Sequence, residues 1–412
     1  MIPTDDKLNA MRMVCDPVVD EVIARYFASA SKEDVGALMH TLFRQGVLPA
    51  AHPLVARYTA ALDGWPEPPI GAAVARGQRL FELYGPEILL TLGSYAVPLA
   101  YAAANGVQVI HRARRLKDDP IRRLCDTAQM VINVMQVGEL ARGGIGWRSI
   151  RKVRLIHAVI RHLVAKDHKE QDEQGQAKST PWQAAWGRPI NQEDQAGTLL
   201  TFSIGAIHGL RLMGAQISKD AADDYLSAWA AVGRLLGVEE SLLPVDEIEG
   251  AELAKKIGAR QHAATPEGQM LMRHLLDAVD SLFPFRGYAV SLSHFFLDTT
   301  VYGEKVAEIL QLPKANWTRF LVGARARQKR FVLRLLQWVP GATRRRQFVA
   351  RRFTQAMLLW KRPDAQAPFE VPPGLLERWR IRRRARALLP PVSSAVTAGD
   401  GGPQPPAATA GP

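Results

Sequence analysis

Apolar residues recur at intervals of three and four along most of the 412-residue chain. This spacing places them on one face of an α-helix, because successive helical residues are separated by about 100°. No apolar–polar alternation of comparable length indicates a strand, and the sequence contains no internal repeat. The pattern predicts an all-α fold and is clearest in VVDEVIARYF, VGALMHTLFRQGVL, GAAVARGQRLFELYG, IRRLCDTAQMVINVMQ, RKVRLIHAVIRHLV, AADDYLSAWAAVGRLLG and MLMRHLLDAVDSLF.

Composition predicts four segments along the chain. Residues 1–9 are expected to form a flexible N-terminus. Residues 10–313 are expected to form a single large helical domain, because the 47% hydrophobic content is ample for one sizeable core. Residues 314–389 are expected to form basic amphipathic helices that pack on this core. Residues 390–412 contain too little apolar surface to fold, and a disordered tail is expected there.

Cysteine usage and the N-terminal residues predict a cytoplasmic protein. Cys15 and Cys125 lie far apart and belong to no Cys/His cluster, so neither a disulfide framework nor a structural zinc site is expected. The N-terminus lacks the basic region and apolar run of a secretion signal. Residues 88–110 carry no charge, but their Gly, Ser, Pro, Asn and Gln residues favour a buried helix, broken near Pro98, over a membrane span.

One histidine interrupts an apolar helical stripe in the stretch KVRLIHAVIRHLVAKDH. Val153, Ile160 and Val164 fall within about 60° of His157 on a helical wheel, with Arg161 along one edge. A buried imidazole needs a hydrogen-bond partner or a metal, because an unsatisfied buried polar group costs about 1–3 kcal/mol. The stretch alone fits either a core histidine bonded to a carbonyl or a metal ligand.

Two further stretches concentrate polar residues on predicted helices. In RRLCDTAQMV, Arg123 and Thr127 share one helix face, where they could hold a small polar ligand or make ordinary structural contacts. In PINQEDQAGTLLTFSIGAIHG, a capping turn precedes a helix that carries Thr198, Thr201 and His208. The histidine of this helix is also explained as a core residue with a hydrogen-bond partner.

Taken in order, these stretches resemble the rubber oxygenase family, which comprises the latex-clearing proteins and the MpaB-like oxygenases. The resemblance extends over roughly residues 70–380 and is most specific in the block RLIHAVIRH. It is carried by YAAANGVQVIHRARRL, RRLCDTAQMV, VRLIHAVIRHLV, GRPINQEDQAGTLLTFS and FEVPPGLLERW. The resemblance implies an all-helical protein with a globin-like core that holds one b-type haem and its iron.

The resemblance also implies roles for individual residues. His157 matches the family's proximal haem ligand, and Arg161 and His162 match the pair that follows it. Arg123 and Thr127 match the polar pair on the other haem face, where bound dioxygen needs hydrogen-bond donors as it gains charge.

Four more residues complete the predicted site or depart from the family pattern. Thr198 and Thr201 are expected on the cofactor-binding side. Asp126 stands where characterised latex-clearing proteins have a lysine that can act as sixth iron ligand, so a lysine-closed resting state is not expected here. The region that matches the family's distal glutamate offers Gln108 and no acidic residue, which leaves Asp126 as the candidate catalytic substitute.

The family chemistry implies a haem-dependent dioxygenase that uses O2 to cleave a carbon–carbon double bond of an isoprenoid or other apolar substrate, either a small molecule or a polymer. One alternative is a non-enzymatic helical protein that binds haem or lipid at the membrane surface. A third hypothesis is a helical interaction protein tethered to anionic membranes, with structural histidines. Residues 88–110 are either one wall of an apolar substrate channel or plain core packing.

The basic residues are concentrated near the C-terminus. Residues 314–390 contain 20 Lys and Arg against 3 Asp and Glu, whereas the rest of the chain has 33 basic and 37 acidic residues. Arginines interleave with FLV, FVLRLLQW and FTQAMLLW, which predicts amphipathic helices. Attachment to an anionic membrane surface and a solvated face packed on the core both fit this pattern. No nucleic-acid-binding motif accompanies the charge, so nucleic acid is not an expected partner.

Overall fold

The computed structural model consists of helices and turns, with one isolated antiparallel bridge between Ala103 and His262, over the part of the chain that it describes. The all-α fold predicted from the helical periodicity is therefore confirmed. The described part comprises residues 2–31, 52–65, 67–114, 120–166, 181–298 and 305–336, with the isolated positions 34, 341, 345, 347–350 and 352.

A π-helical segment (Leu92–Ala96) lies between the fourth and the fifth helix. In chain order they are α1 (Asp5–Arg12), α2 (Pro17–Ser29), α3 (Pro53–Leu62), α4 (Ala72–Thr91), α5 (Val97–Ala102), α6 (Val107–Arg114), α7 (Pro120–Val134), α8 (Ile145–Lys166), α9 (Gln192–Leu212), α10 (Lys219–Leu236), α11 (Glu247–Gln261), α12 (Pro266–Asp280), α13 (Tyr288–Leu297), α14 (Val306–Ile309) and α15 (Thr318–Leu336).

The N-terminal residues differ from the flexible segment predicted for residues 1–9. Helix α1 begins at Asp5, and the Thr4 hydroxyl caps it by accepting a hydrogen bond from the backbone N–H of Lys7 at 3.2 Å. Leu8 is fully buried in the main core. The cap satisfies a helix-terminal donor and the burial of Leu8 anchors the helix, which explains why this polar-looking segment is ordered.

The main core is built around α4, α9 and α10. Helix α10 lies along α4, and α9 packs against both of them and against α11. The close approach of α4 to α10 requires glycine at position 77, because a Cβ there would lie 2.2 Å from the carbonyl oxygen of Asp224. A smaller second cluster joins α2 and α3 to α8, with Ile23, Leu54 and Val159 fully buried.

The uncharged segment 88–110 is buried, and it is not one straight helix. Helix α4 ends at Thr91, the next turn is π-helical, and α5 then begins with Pro98 in its first turn. Proline has no N–H to donate to the preceding turn, and a single π-helical turn between two α-helical segments precedes it here. Among the residues described, no helix is both long enough and apolar enough to cross a membrane.

The C-terminal basic segment begins within the described part of the chain. Helix α15 belongs to it and packs against α13. Most of the segment beyond residue 336 and the predicted tail at 390–412 lie outside the described residues. The predicted boundaries at residues 313 and 389 therefore stay predictions.

Candidate functional site

The two halves of the predicted site lie on neighbouring helices. Helices α7 and α8 pack against each other and are joined by residues 135–144. At their connected ends, Asn133 Nδ2 donates a hydrogen bond to Ser149 Oγ at 2.9 Å. A Cβ at Gly146 would lie 2.8 Å from the Asn133 carbonyl oxygen, so the backbones touch at this point.

The predicted polar pair and the predicted ligand lie at similar distances, measured along their own helices, from the connection between α7 and α8. With a rise of about 1.5 Å per residue, Arg123 lies roughly 16 Å along α7 from its connected end. His157 lies roughly 16 Å along α8 from Gly146. Thr127, one turn from Arg123, is also half-buried on α7.

His157 has a buried ring nitrogen, Nδ1, without a hydrogen-bond partner among the residues that the structure describes. Burial and the nearby positive charge of Arg161 lower the pKa of this imidazole to about 4, while Gln195 and the charge of Asp16 act in the opposite direction. The ring is therefore neutral near pH 7. A neutral imidazole with an unused nitrogen is the form that binds a metal.

Two ion pairs fix the position of His157, one turn on either side of it. Arg154 donates from Nε to Asp16 Oδ2 at 2.6 Å and from Nη2 to Asp16 Oδ1 at 3.0 Å, and both residues are 2% exposed. Arg161 donates from Nε to Asp20 Oδ1 at 2.7 Å. Both carboxylates belong to the N-terminal part of α2, so the pairs tie α8 to α2. Arg161 is thus engaged in holding helices together at the site.

The remaining predicted cofactor-binding residues lie in different surroundings. The His162 ring lies against that of Phe27 of α2, with the ring centroids 4.6 Å apart and the ring planes inclined by 40°. Thr198 is exposed, and its hydroxyl donates to the Asp194 carbonyl of its own helix at 2.8 Å. Thr201 is buried and donates to the Thr198 carbonyl at 2.8 Å. Their assignment to the cofactor stays a prediction.

The residues that depart from the family pattern are buried. Asp126 lies on α7 with 7% of its surface exposed. Gln108 lies on α6, where its Oε1 accepts a hydrogen bond from Arg112 Nη1 at 3.1 Å. The Arg112 guanidinium in turn lies 5.3 Å from the Trp182 ring and 4.9 Å from the Trp186 ring. Gln108 is therefore held in one orientation by a stacked arginine.

Several residues around His157 were not singled out from the sequence. Asp16, Asp20 and Gln195 come from α2 and α9, far from His157 along the chain. The arginines one turn from His157 gave the local indication that acidic residues lie nearby, because a buried guanidinium needs a carboxylate partner. Within the described ranges, no group of three or more His, Cys, Asp or Glu side chains is placed to hold a metal ion.

Comparison with known proteins gives two matches. A family model described as "ER-bound oxygenase mpaB/B'/Rubber oxygenase, catalytic domain" matches residues 32–394. A solved structure described as "Structure of Latex Clearing Protein LCP in the closed state" superposes with a TM-score of 0.60 at 21% sequence identity, covering 84% of this chain and 91% of that chain. At this identity the structural likeness supports the helical fold alone.

A search of functionally curated proteins gave no significant match. The family match nevertheless spans most of the chain and includes both α7 and α8, which carry the predicted site. It confirms the resemblance seen in the sequence motifs. The chain therefore belongs to the rubber oxygenase catalytic-domain family, a family of oxygenases.

Proposed function

We propose that the protein is a haem-dependent oxygenase that uses dioxygen to cleave a carbon–carbon double bond of an isoprenoid or other apolar substrate. Membership of the rubber oxygenase family supports the reaction class. The observation that carries the haem assignment is the buried Nδ1 of His157, which lacks a hydrogen-bond partner in the described part of the chain. Histidine is a common axial ligand of haem iron.

The surroundings of His157 fit an axial ligand. Its low pKa, about 4, leaves the nitrogen lone pair available at neutral pH, so no proton has to be displaced. The ion pairs of Arg154 and Arg161 hold the helix on both sides of the ring. Val164, a buried apolar residue about 20° from His157 on the helical wheel, suits contact with a porphyrin, whose faces need apolar packing.

The residues of α7 supply the opposite side of the proposed site. Arg123 is charged at any physiological pH and can stabilise negative charge that develops on dioxygen. Thr127 offers a hydroxyl donor one turn away. Asp126 is the buried carboxylate of this helix, and in this proposal it takes up a proton from the substrate and later returns it, because cleavage of a double bond by dioxygen into two carbonyl groups has no net loss of protons. The bound haem supplies the activation of dioxygen, which protein side chains do not provide.

The absorption spectrum of the purified protein tests the cofactor and its ligand. We expect a Soret band that His157→Ala removes and that His208→Ala, a histidine substitution on α9, retains. Because an alanine variant could fail to fold, circular dichroism is recorded for both variants. In His157→Gly, added imidazole should restore the band by replacing the missing ligand.

Three results would contradict the haem assignment. They are a colourless protein even after hemin addition, a band of equal strength in folded His157→Ala, and loss of the band only in His208→Ala. Oxygen consumption with an isoprenoid substrate such as squalene then tests turnover. Haem binding without any substrate-dependent consumption would favour the alternative of a non-enzymatic carrier.

A further inference from the structure

Helix α15 has two apolar faces, and only one of them is packed on the protein. Val322 and Leu333 are buried on the inner face. On a helical wheel, Phe320, Phe331 and Leu335 lie within about 60° of one another and about 180° from the two buried residues. These three side chains are 62%, 63% and 52% exposed. The outer face of α15 therefore exposes three large apolar side chains to solvent.

Neighbouring aromatic residues extend this face beyond the start of the helix. Trp317 immediately precedes α15 and is 56% exposed, and its ring meets that of the exposed Phe285 edge-on at 5.5 Å. We call Phe285, Trp317, Phe320, Phe331 and Leu335 the outer stripe. Single exposed apolar residues are ordinary, but several large ones aligned on one face of a helix are typical of an interaction surface.

The charge around the outer stripe identifies the kind of partner. Residues 318–336 contain six basic residues and no acidic one. Arg319 and Arg327 are exposed beside the stripe, and the Arg319 guanidinium lies 4.8 Å from the Phe320 ring. Aromatic and aliphatic side chains flanked by arginine are typical of helices that lie in the interface of an anionic membrane.

Contacts on the inner side hold α15 in this orientation. Lys329 Nζ lies 2.7 Å from Glu87 Oε1 of α4, and Arg330 Nη2 donates to the Leu212 carbonyl at 3.3 Å. A Cβ at Gly214 would lie 2.6 Å from Arg330 Cβ, so the helix sits directly against the turn after α9. The outer stripe therefore faces away from the helices that carry α15.

We propose that α15 docks the protein on an anionic lipid surface, with the outer stripe inserted at the boundary between headgroups and acyl chains and the arginines at the lipid phosphates. A second copy of the chain is disfavoured as occupant, because a symmetric contact would bring two sets of six positive charges together. The net negative charge outside residues 314–390 favours the same orientation, since it is repelled by the lipid surface. This inference does not depend on the cofactor.

Co-sedimentation of the full-length protein with vesicles tests the proposal. Vesicles of phosphatidylcholine with phosphatidylserine are compared with vesicles of phosphatidylcholine alone. We expect binding to the anionic vesicles that weakens as salt is raised. Phe320→Ser/Phe331→Ser should lower the partition coefficient by about tenfold or more, because the inserted apolar area is lost. The matched control Val245→Ser/Ile248→Ser changes two exposed residues of another surface and should bind as the wild type does.

Substitution of the arginines separates the electrostatic contribution. Arg319→Gln/Arg327→Gln should weaken binding to anionic vesicles by roughly fivefold for each charge removed, and should leave the slight binding to neutral vesicles unchanged. All these positions are exposed, so the variants should unfold at the same temperature as the wild type.

Several outcomes would overturn the proposal. They are the absence of binding to anionic vesicles, equal binding to neutral ones, and unchanged binding of Phe320→Ser/Phe331→Ser. Self-association that these two serines abolish, without vesicle binding, would identify a second copy as the occupant instead. The Soret band distinguishes failure of the lipid-docking proposal from failure of the proposed function. His157→Ala should still bind vesicles, and Phe320→Ser/Phe331→Ser should still show the Soret band.

Discussion

At the scale of single residues, Asp194 shows how strongly the interior of this protein changes an acidic group. Burial raises the pKa of this carboxyl to about 6, although the charge of Arg12 and hydrogen bonds from Arg12 and Asn191 act to lower it. Arg12 Nη1 lies 3.2 Å from Asp194 Oδ1, and Asn191 Nδ2 donates to Oδ2 at 2.8 Å. Removal from water, together with the negative charge of Glu193, therefore outweighs one ion pair and one amide contact.

The raised pKa of Asp194 predicts a pH dependence of stability. The folded state binds the proton more tightly than the unfolded chain, whose pKa is near 3.8, so this contribution to stability is present at low pH and is lost as the pH rises through about 6. As the pH is raised from 4 to 7, the free energy of unfolding of Asp194→Asn should therefore increase relative to that of the wild type by about 1–3 kcal/mol. Urea denaturation at both pH values measures the difference.

Asp63→Asn is the control for Asp194→Asn, because Asp63 is an exposed carboxylate paired with Arg142 at 3.4 Å. The free energy of unfolding of Asp63→Asn relative to that of the wild type should be about the same at pH 4 as at pH 7. Equal stability differences for Asp194→Asn at pH 4 and pH 7 would show that the carboxyl keeps an ordinary pKa in the folded protein.

At the scale of helices, glycines decide how closely the central helices approach. At Gly77 of α4, a Cβ would lie 2.2 Å from the Asp224 carbonyl oxygen of α10. At Gly209 of α9, it would lie 2.3 Å from a methyl carbon of Thr91 in α4. Helices α4 and α10 therefore meet through their backbones at Gly77, whereas α9 at Gly209 packs directly on the Thr91 side chain of α4.

Gly77→Ala should consequently lower the free energy of unfolding by about 1–3 kcal/mol, because the obstructing atom belongs to the backbone and cannot rotate away. Gly93, in the π-helical segment, is the matched control, since a Cβ there meets no atom within 4 Å. Gly93→Ala should leave stability unchanged or raise it by up to about 1 kcal/mol. Equal effects of the two substitutions in thermal or urea unfolding would contradict this account of the α4–α10 contact.

At the scale of the whole molecule, α8 joins two parts of the interior. Its Ile150 belongs to the main core, whereas Leu155 and Val159 belong to the smaller cluster with α2 and α3. His157 lies on the same helix, between the two ion pairs to α2. A ligand held by His157 should therefore stabilise both parts together.

Hemin should raise the stability of the wild-type protein as a whole. A ligand that binds only the folded state stabilises it by about 2.7 kcal/mol when its free concentration is 100 times the Kd. We expect the midpoint of thermal unfolding to rise with hemin concentration in the wild type and in His208→Ala, and to stay constant in His157→Ala. A rise of the same size in His157→Ala would place the haem at another site.

The amino-acid sequence by itself determined the helical class, the family and the position of the candidate ligand. Each of these depends on local information: a period near 3.6, the short block around His157, and a polar pair spaced by four residues on α7. Local spacing fixes which residues share a helix face, so the placement of His157 on an apolar stripe could be predicted without the fold.

Only the tertiary structure decided what those faces meet. The partners of Arg154 and Arg161 lie 138 and 141 residues away along the chain, and no local pattern pairs them. Periodicity showed that α15 is amphipathic, but not that its outward face would be the apolar stripe of Phe320 and Phe331. The physical reason is that burial and ion pairing are properties of contacts between distant segments, and such contacts exist only once the helices have packed.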